Sequence, residues 1–130
     1  MKSKSLIMLL AGISLFFAPG SAFAHHGTAE FDKTRPATVR GTVTDFVWTN
    51  PHGTIELEVH DSKGNVEKWQ GFLTSPNFLA RAGWSKSTLK PGDEVTLTGS
   101  PSKSHPNILK VTRVQLANGQ ELRVGALGGM

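Results

Sequence analysis

Residues 38–60 read TVRGTVTDFVWTNPHGTIELEVH, two β-patterned runs around the turn Trp48-Thr49-Asn50-Pro51-His52-Gly53. Val39, Gly41 and Val43 share one face of the first run, whereas Phe46 and Trp48 fall on the opposite parity. A strand obeying a period of two can carry both sets inward only if it twists strongly or holds a bulge near Asp45, and Gly41 permits the bend. After the turn, Ile55, Leu57 and Val59 alternate with Glu56, Glu58 and His60, the pattern of a half-buried strand with His60 toward solvent.

Working outward, Asp61-Ser62-Lys63-Gly64-Asn65 is a hairpin turn, because Gly64 accepts the positive φ that such loops need. Val66 to Leu73, with Trp69 and Phe72, returns as a third strand and completes a meander. Ser75 stands as N-cap before Pro76 at the first position of a short helix, whose apolar stripe is Phe78, Leu79 and Ala82 and whose end is Gly83. Pro91-Gly92 is the centre of a type II turn into a fourth strand with Val95 and Leu97 inward. A polar loop from Ser100 to Asn107 leads to a fifth strand, Ile108 to Leu116, whose apolar parity changes near Thr112. Asn118-Gly119 then turns the chain into a last strand, Glu121 to Val124. A chain that is all-β except for one short helix between the third and fourth strands fits a small OB-fold-like Greek-key barrel. A small β-sandwich is the alternative, although sandwiches ordinarily require about seven strands.

Upstream, Lys2 and Lys4 precede the apolar run Leu6 to Ala18, and Ala22-Phe23-Ala24 offers small residues where a signal peptidase reads. The run is shorter than the roughly 20 residues a membrane span needs. Residues 1–24 are therefore expected to be a signal peptide, residues 25–37 an arm, 38–124 the barrel and 125–130 a flexible tail. The expected location is the periplasm or the medium, after cleavage between Ala24 and His25; cleavage after Ala22 is the alternative. Loss of Lys2 and Lys4 reduces 14 basic residues to 12, against 10 acidic ones, a balance of +2. That balance, with mixed signs, gives no footprint for a nucleic-acid partner. Without cysteine, neither disulfides nor thiolate metal sites contribute, and stability must come from the core. In the arm, Phe31 is the single large apolar side chain, suited to pin it to a groove.

The candidate chemistry lies in histidine. Cleavage before His25 would leave an α-amine and an imidazole on one residue, a chelate that His26 and a domain histidine can complete. His52 is the first choice, since the turn can aim it at the arm. Imidazole and amine nitrogens favour Cu(II) or a similar transition metal over a hard cation. Cleavage after Ala22 would instead make His25 the third residue, with backbone amides among the ligands. Trp48 and Asn50 are candidate ligand-binding residues, an apolar wall and a hydrogen-bonding amide beside His52. Packing of Trp48 and capping of the turn by Asn50 are their structural roles. No nucleophile elbow, phosphate-cradling glycine loop or catalytic carboxylate pair is present, so no catalytic residue is assigned.

Taken together, His25-His26-Gly27, Phe31-Asp32, Trp48-x-Asn50-Pro51-His52, Gly83-Trp84 and Pro91-Gly92-Asp93 resemble a family of small secreted bacterial proteins classed as a domain of unknown function. The resemblance covers essentially the whole mature chain. It implies export and a single domain, and brings no established activity. The expectation is an exported, non-enzymatic binding protein that takes copper as Cu(II) through His25, His26 and His52. The alternative is a metal-free envelope module binding a protein, peptide or saccharide; a third reading is a copper-dependent oxidase.

Overall fold

The structure, a computed structural model, describes residues 30–125. In chain order its elements are β1 (Ala37–Val47), β2 (Thr54–His60), β3 (Val66–Phe72), α1 (Pro76–Arg81), β4 (Glu94–Pro101), β5 (Ile108–Leu116) and β6 (Glu121–Arg123). The expected signal peptide, His25, His26 and the end of the expected tail, 126–130, lie outside the described residues.

The strands follow the order β3-β2-β1-β4-β5-β6. Neighbours along that order are antiparallel, and β3 also pairs in parallel with β5 through Gln70, Gly71 and Phe72 opposite Ile108, Leu109 and Lys110. That parallel pairing closes β1 to β5 into a barrel, the OB-fold-like arrangement expected from the element order, with β6 appended outside the ring. A sandwich would leave two sheets facing each other instead.

Two bulges let so short a sheet curl. Val43 pairs with Leu57 and Asp45 with Glu56, which leaves Thr44 as the extra residue of β1. Phe46 and Trp48 consequently regain the inward side and pack against the core, as their parity required. In β5, Val111 pairs with Gly99 and Arg113 with Thr98, so Thr112 is the extra residue, and its hydroxyl donates to the Thr98 carbonyl (3.1 Å). Val111 and Val114, on either side of the bulge, are both buried. The interior is aliphatic, with Val43, Ile55, Leu57, Leu79, Val95, Leu97, Leu109 and Val114 almost wholly removed from solvent. Burial of each such side chain contributes about 1.5–3 kcal/mol.

Helix α1 begins where Ser75 and Pro76 place it, although the Ser75 side chain makes no capping bond. Gly83, at φ 92°, ends the turn. One expectation is corrected. Of the proposed stripe only Leu79 is buried; Phe78 is 48% exposed and Ala82 is exposed, because six residues give the barrel a single inward turn. Trp84 just beyond the helix is buried and donates its indole N–H to the Arg123 carbonyl (3.1 Å). The loop expected from Ser100 starts later, since β4 runs to Pro101, and β6 stops at Arg123.

Glycine is indispensable opposite the second bulge. A Cβ on Gly99 would run into the Lys110 carbonyl and the Val111 backbone, which cannot move without breaking the ladder. Gly64 has open space around its Cβ position and needs only its φ of 80°. Gly99→Ala is expected to lower unfolding free energy by about 2–4 kcal/mol. For Gly64→Ala the expected loss is about 1 kcal/mol, and urea denaturation of the two variants measures the contrast.

Candidate functional site

The β1–β2 loop, residues 48–53, is fastened at its far end to the end of β3. Gly53 donates its N–H to the Thr74 carbonyl (3.0 Å) and accepts from the Leu73 N–H (2.8 Å). Its own Cβ position is crowded by Leu79 and Leu73, so a glycine lets the loop descend onto the core. Asn50, Pro51 and His52 remain exposed at the tip, and the Asn50–Pro51 peptide is cis. Trp48 is half-buried, edge-on to Phe46 at 5.9 Å between ring centroids, and Phe46 in turn lies 6.1 Å from Trp84.

The described part of the arm begins at Glu30 and runs along the β4–β5 loop. Phe31 forms an antiparallel bridge with Ser102. On either side of it, the Asp32 N–H donates to the Pro101 carbonyl (2.9 Å), and the Lys103 N–H donates to the Glu30 carbonyl (2.9 Å). The Glu30 carboxylate then gathers the loop: Oε1 accepts from Ser102 Oγ (3.2 Å) and Ser104 Oγ (3.1 Å) and lies 3.2 Å from His105 Nδ1. The Phe31 side chain is 4% exposed and stands edge-on to Phe72, with centroids 6.5 Å apart.

Phe31, Phe72, Leu73, Lys110 and His52 wall one cavity of about 60 Å³. This is where barrel closure matters to the site. The β3–β5 pairing sets Phe72 opposite Lys110, and the loop stitched to Leu73 delivers His52 to the same spot. Of the sequence-predicted site residues, His52 therefore sits beside the anchor of the arm, whereas Trp48 packs toward Phe46, and neither it nor Asn50 walls this cavity. His25 and His26 lie outside the described residues. Among the described residues, no group of three His, Asp or Glu side chains is placed to hold a metal ion. Lys110, Glu30 and His105 had no signal in the sequence: they matter only through neighbours more than seventy residues away for the Glu30 contacts, or across a barrel seam for Lys110.

Next to the anchor, the hydroxyl and backbone N–H of Thr34 both donate to Asp32 Oδ1 (2.6 and 2.9 Å) and hold its carboxyl below the ordinary carboxylate value.

A family model described as a family of unknown function, DUF6152, matches residues 14–108. A comparison with curated proteins finds no match. Similar solved structures include TiaS in complex with a transfer RNA and ATP, at 19% identity and a TM-score of 0.43, covering 66% of this chain and 19% of that one. They also include a ZRD-deleted mutant of TiaS in complex with agmatine, at 22% identity and a TM-score of 0.43, covering 70% of this chain and 26% of that one. The chain thus spans about a quarter or less of those proteins.

Phe31→Ala is expected to release the arm while the barrel stays folded. Amide hydrogen exchange should accelerate at Asp32 and Lys103 by about tenfold or more, with the β1–β4 ladder unchanged. The depressed Asp32 carboxyl contributes stability that is present above its ordinary pKa and lost as pH falls through its lowered value. The amide NMR signal of Thr34, whose N–H donates to that carboxyl, should accordingly shift as pH falls below about 4. Asp32→Asn should remove that acid-linked step.

Proposed function

We propose a function for a chain that belongs to the DUF6152 family, whose function is unknown: an exported small binding protein, not an enzyme, that takes up Cu(II) or a similar transition-metal ion through His25, His26 and His52. The observation that carries this reading is the juxtaposition of Phe31 and His52 around one cavity. An extended chain spans at most about 3.6 Å per residue, so His26, five positions before Phe31, is within about 18 Å of the anchor, and His25 within about 22 Å. The exposed imidazole of His52 is then a target within range of both. The anchor reduces the conformational freedom that an arm must lose when its ligands meet those of the domain.

The donor set suits the ion. Removal of residues 1–24 would expose the His25 amine beside its own imidazole, and the amine with Nδ1 would close a six-membered chelate ring, a nitrogen donor pair that Cu(II) and Ni(II) favour. His26 and His52 supply further imidazole nitrogens. Copper is held here as cargo or as a structural ion, with no step of bond breaking attached. A metal-free envelope interaction module is the second reading, favoured by the exposed Phe78 and the groove beside it.

The test is titration of the purified protein beginning at His25. It should take up a single Cu(II) with a nitrogen-rich EPR spectrum. One extra residue ahead of His25 should weaken uptake by about tenfold or more, and His52→Ala should do the same, because each removes a ligand. Affinity unchanged by the extension would sink the terminal chelate; affinity unchanged by His52→Ala would remove the domain from the site.

A further inference from the structure

A second surface lies away from the arm and the β1–β2 loop. Between α1 and β6 runs a groove of about 650 Å³, walled by Phe78, Arg81, Leu122 and Arg123 among others. Phe78 is one of two large apolar side chains left exposed among the described residues, and the Arg81 guanidinium lies 5.6 Å over its ring. Leu122 is half-buried beside them. The helix is too short to fold this aromatic into the barrel, so an apolar floor faces outward.

The opposite wall is a sheet edge. Strand β6 ends the strand order and pairs only with β5. The Leu116 N–H donates to the Gln120 carbonyl and the Val124 N–H to the Thr112 carbonyl, so residues 120 and 124 face β5. By the period of two, Glu121 and Arg123 direct their backbone groups to the uncovered side. Trp84 occupies the Arg123 carbonyl and blocks the edge there. What remains beside Glu121 is a short open stretch able to accept one more extended chain.

Charge narrows the occupant. The Glu121 carboxylate lies 3.6 Å from Arg113 Nη1, which offsets it. Arg81 and Arg123, by contrast, make no ion pair among the described residues. The groove therefore joins an apolar floor, a strand edge open at Glu121 and two guanidinium groups that have no ion-pair partner among the described residues. A second copy of this chain would set arginines against arginines across a two-fold axis.

We propose that this groove docks an extended acidic segment of a partner protein, added as a strand along β6. A large apolar side chain of the segment rests on Phe78 and Leu122, and flanking carboxylates meet Arg81 and Arg123. Main-chain bonds to the β6 edge supply part of the attraction, and the alternation of apolar and acidic side chains supplies selectivity. With only three residues in β6, the contact is a transient one.

The test uses a fluorescein-labelled hexapeptide alternating aspartate with leucine, blocked at both ends, and a counterpart carrying lysine for aspartate. Anisotropy should show the acidic peptide binding at least about tenfold tighter than the basic one. Arg81→Gln and Arg123→Gln should each weaken the acidic peptide by about threefold or more, and Phe78→Ser by about fivefold or more. All three side chains are exposed, and circular dichroism confirms that the variants fold. The affinity should be the same with and without Cu(II), which separates this surface from the metal reading. The proposal is overturned by no anisotropy change up to about 1 mM peptide, by equal binding of the two peptides, by insensitivity to the substitutions, by equally tight binding of an oligothymidylate, or by sedimentation showing a dimer that Phe78→Ser dissolves.

Discussion

Closure of the barrel rests on three residue pairs, Gln70, Gly71 and Phe72 of β3 against Ile108, Leu109 and Lys110 of β5. Strands that are otherwise antiparallel meet there in parallel, and the sheet must coil steeply to bring them together. The Thr44 and Thr112 bulges supply the coiling. Gly71 supplies the clearance, since a Cβ there would press on Val111 and Leu97 across the interior. Thus one extra residue in each of two strands and a glycine at the seam set the curvature that the aliphatic interior then fills.

The seam also explains why the arm can be held at all. Joining β3 to β5 aligns Phe72 with Lys110 and exposes an apolar notch into which Phe31 fits. The β4–β5 loop starts one residue beyond β4, so its serines and His105 stand beside Glu30 as soon as Phe31 is seated. An aromatic in the notch and a carboxylate on the loop fix the arm on two sides of its backbone. The β1–β2 loop, anchored through Gly53, sets His52 on the rim of the same notch.

Much of this was legible in local pattern. The alternation in Ile55 to Val59, the parity breaks around Asp45 and Thr112, and the Ser-Pro start of the helix each report a backbone period or a dihedral preference, and these are properties of neighbours in the chain. Phe31 stood out for the same reason, as an aromatic in a polar context. What pattern did not reveal depends on residues distant in sequence. Glu30 reads as an ordinary surface acid until it is set against Ser102, Ser104 and His105. Phe78 reads as part of a helical stripe, but a six-residue helix meets the barrel along one turn, and Leu79 already fills that place. Trp48 fits both packing and binding by type, and its ring stands edge-on to Phe46 while one side stays partly exposed.

The position of β1 has a consequence for the order in which the chain can acquire structure. Val39 of β1 pairs with Leu97 of β4, 58 positions later, and the seam waits for Lys110. A chain emerging from its N-terminus can assemble β1, β2 and β3 as a meander of near neighbours, but that meander has no fourth strand to cover it and no seam to close it. The loop-closure entropy of the distant pairings has to be met before their contacts form. Until residue 110 is available, the apolar faces of Val43, Ile55 and Leu57 therefore lack most of their final cover. Closure of the barrel therefore depends on pairings that join the first described strand and the third to strands far along the chain.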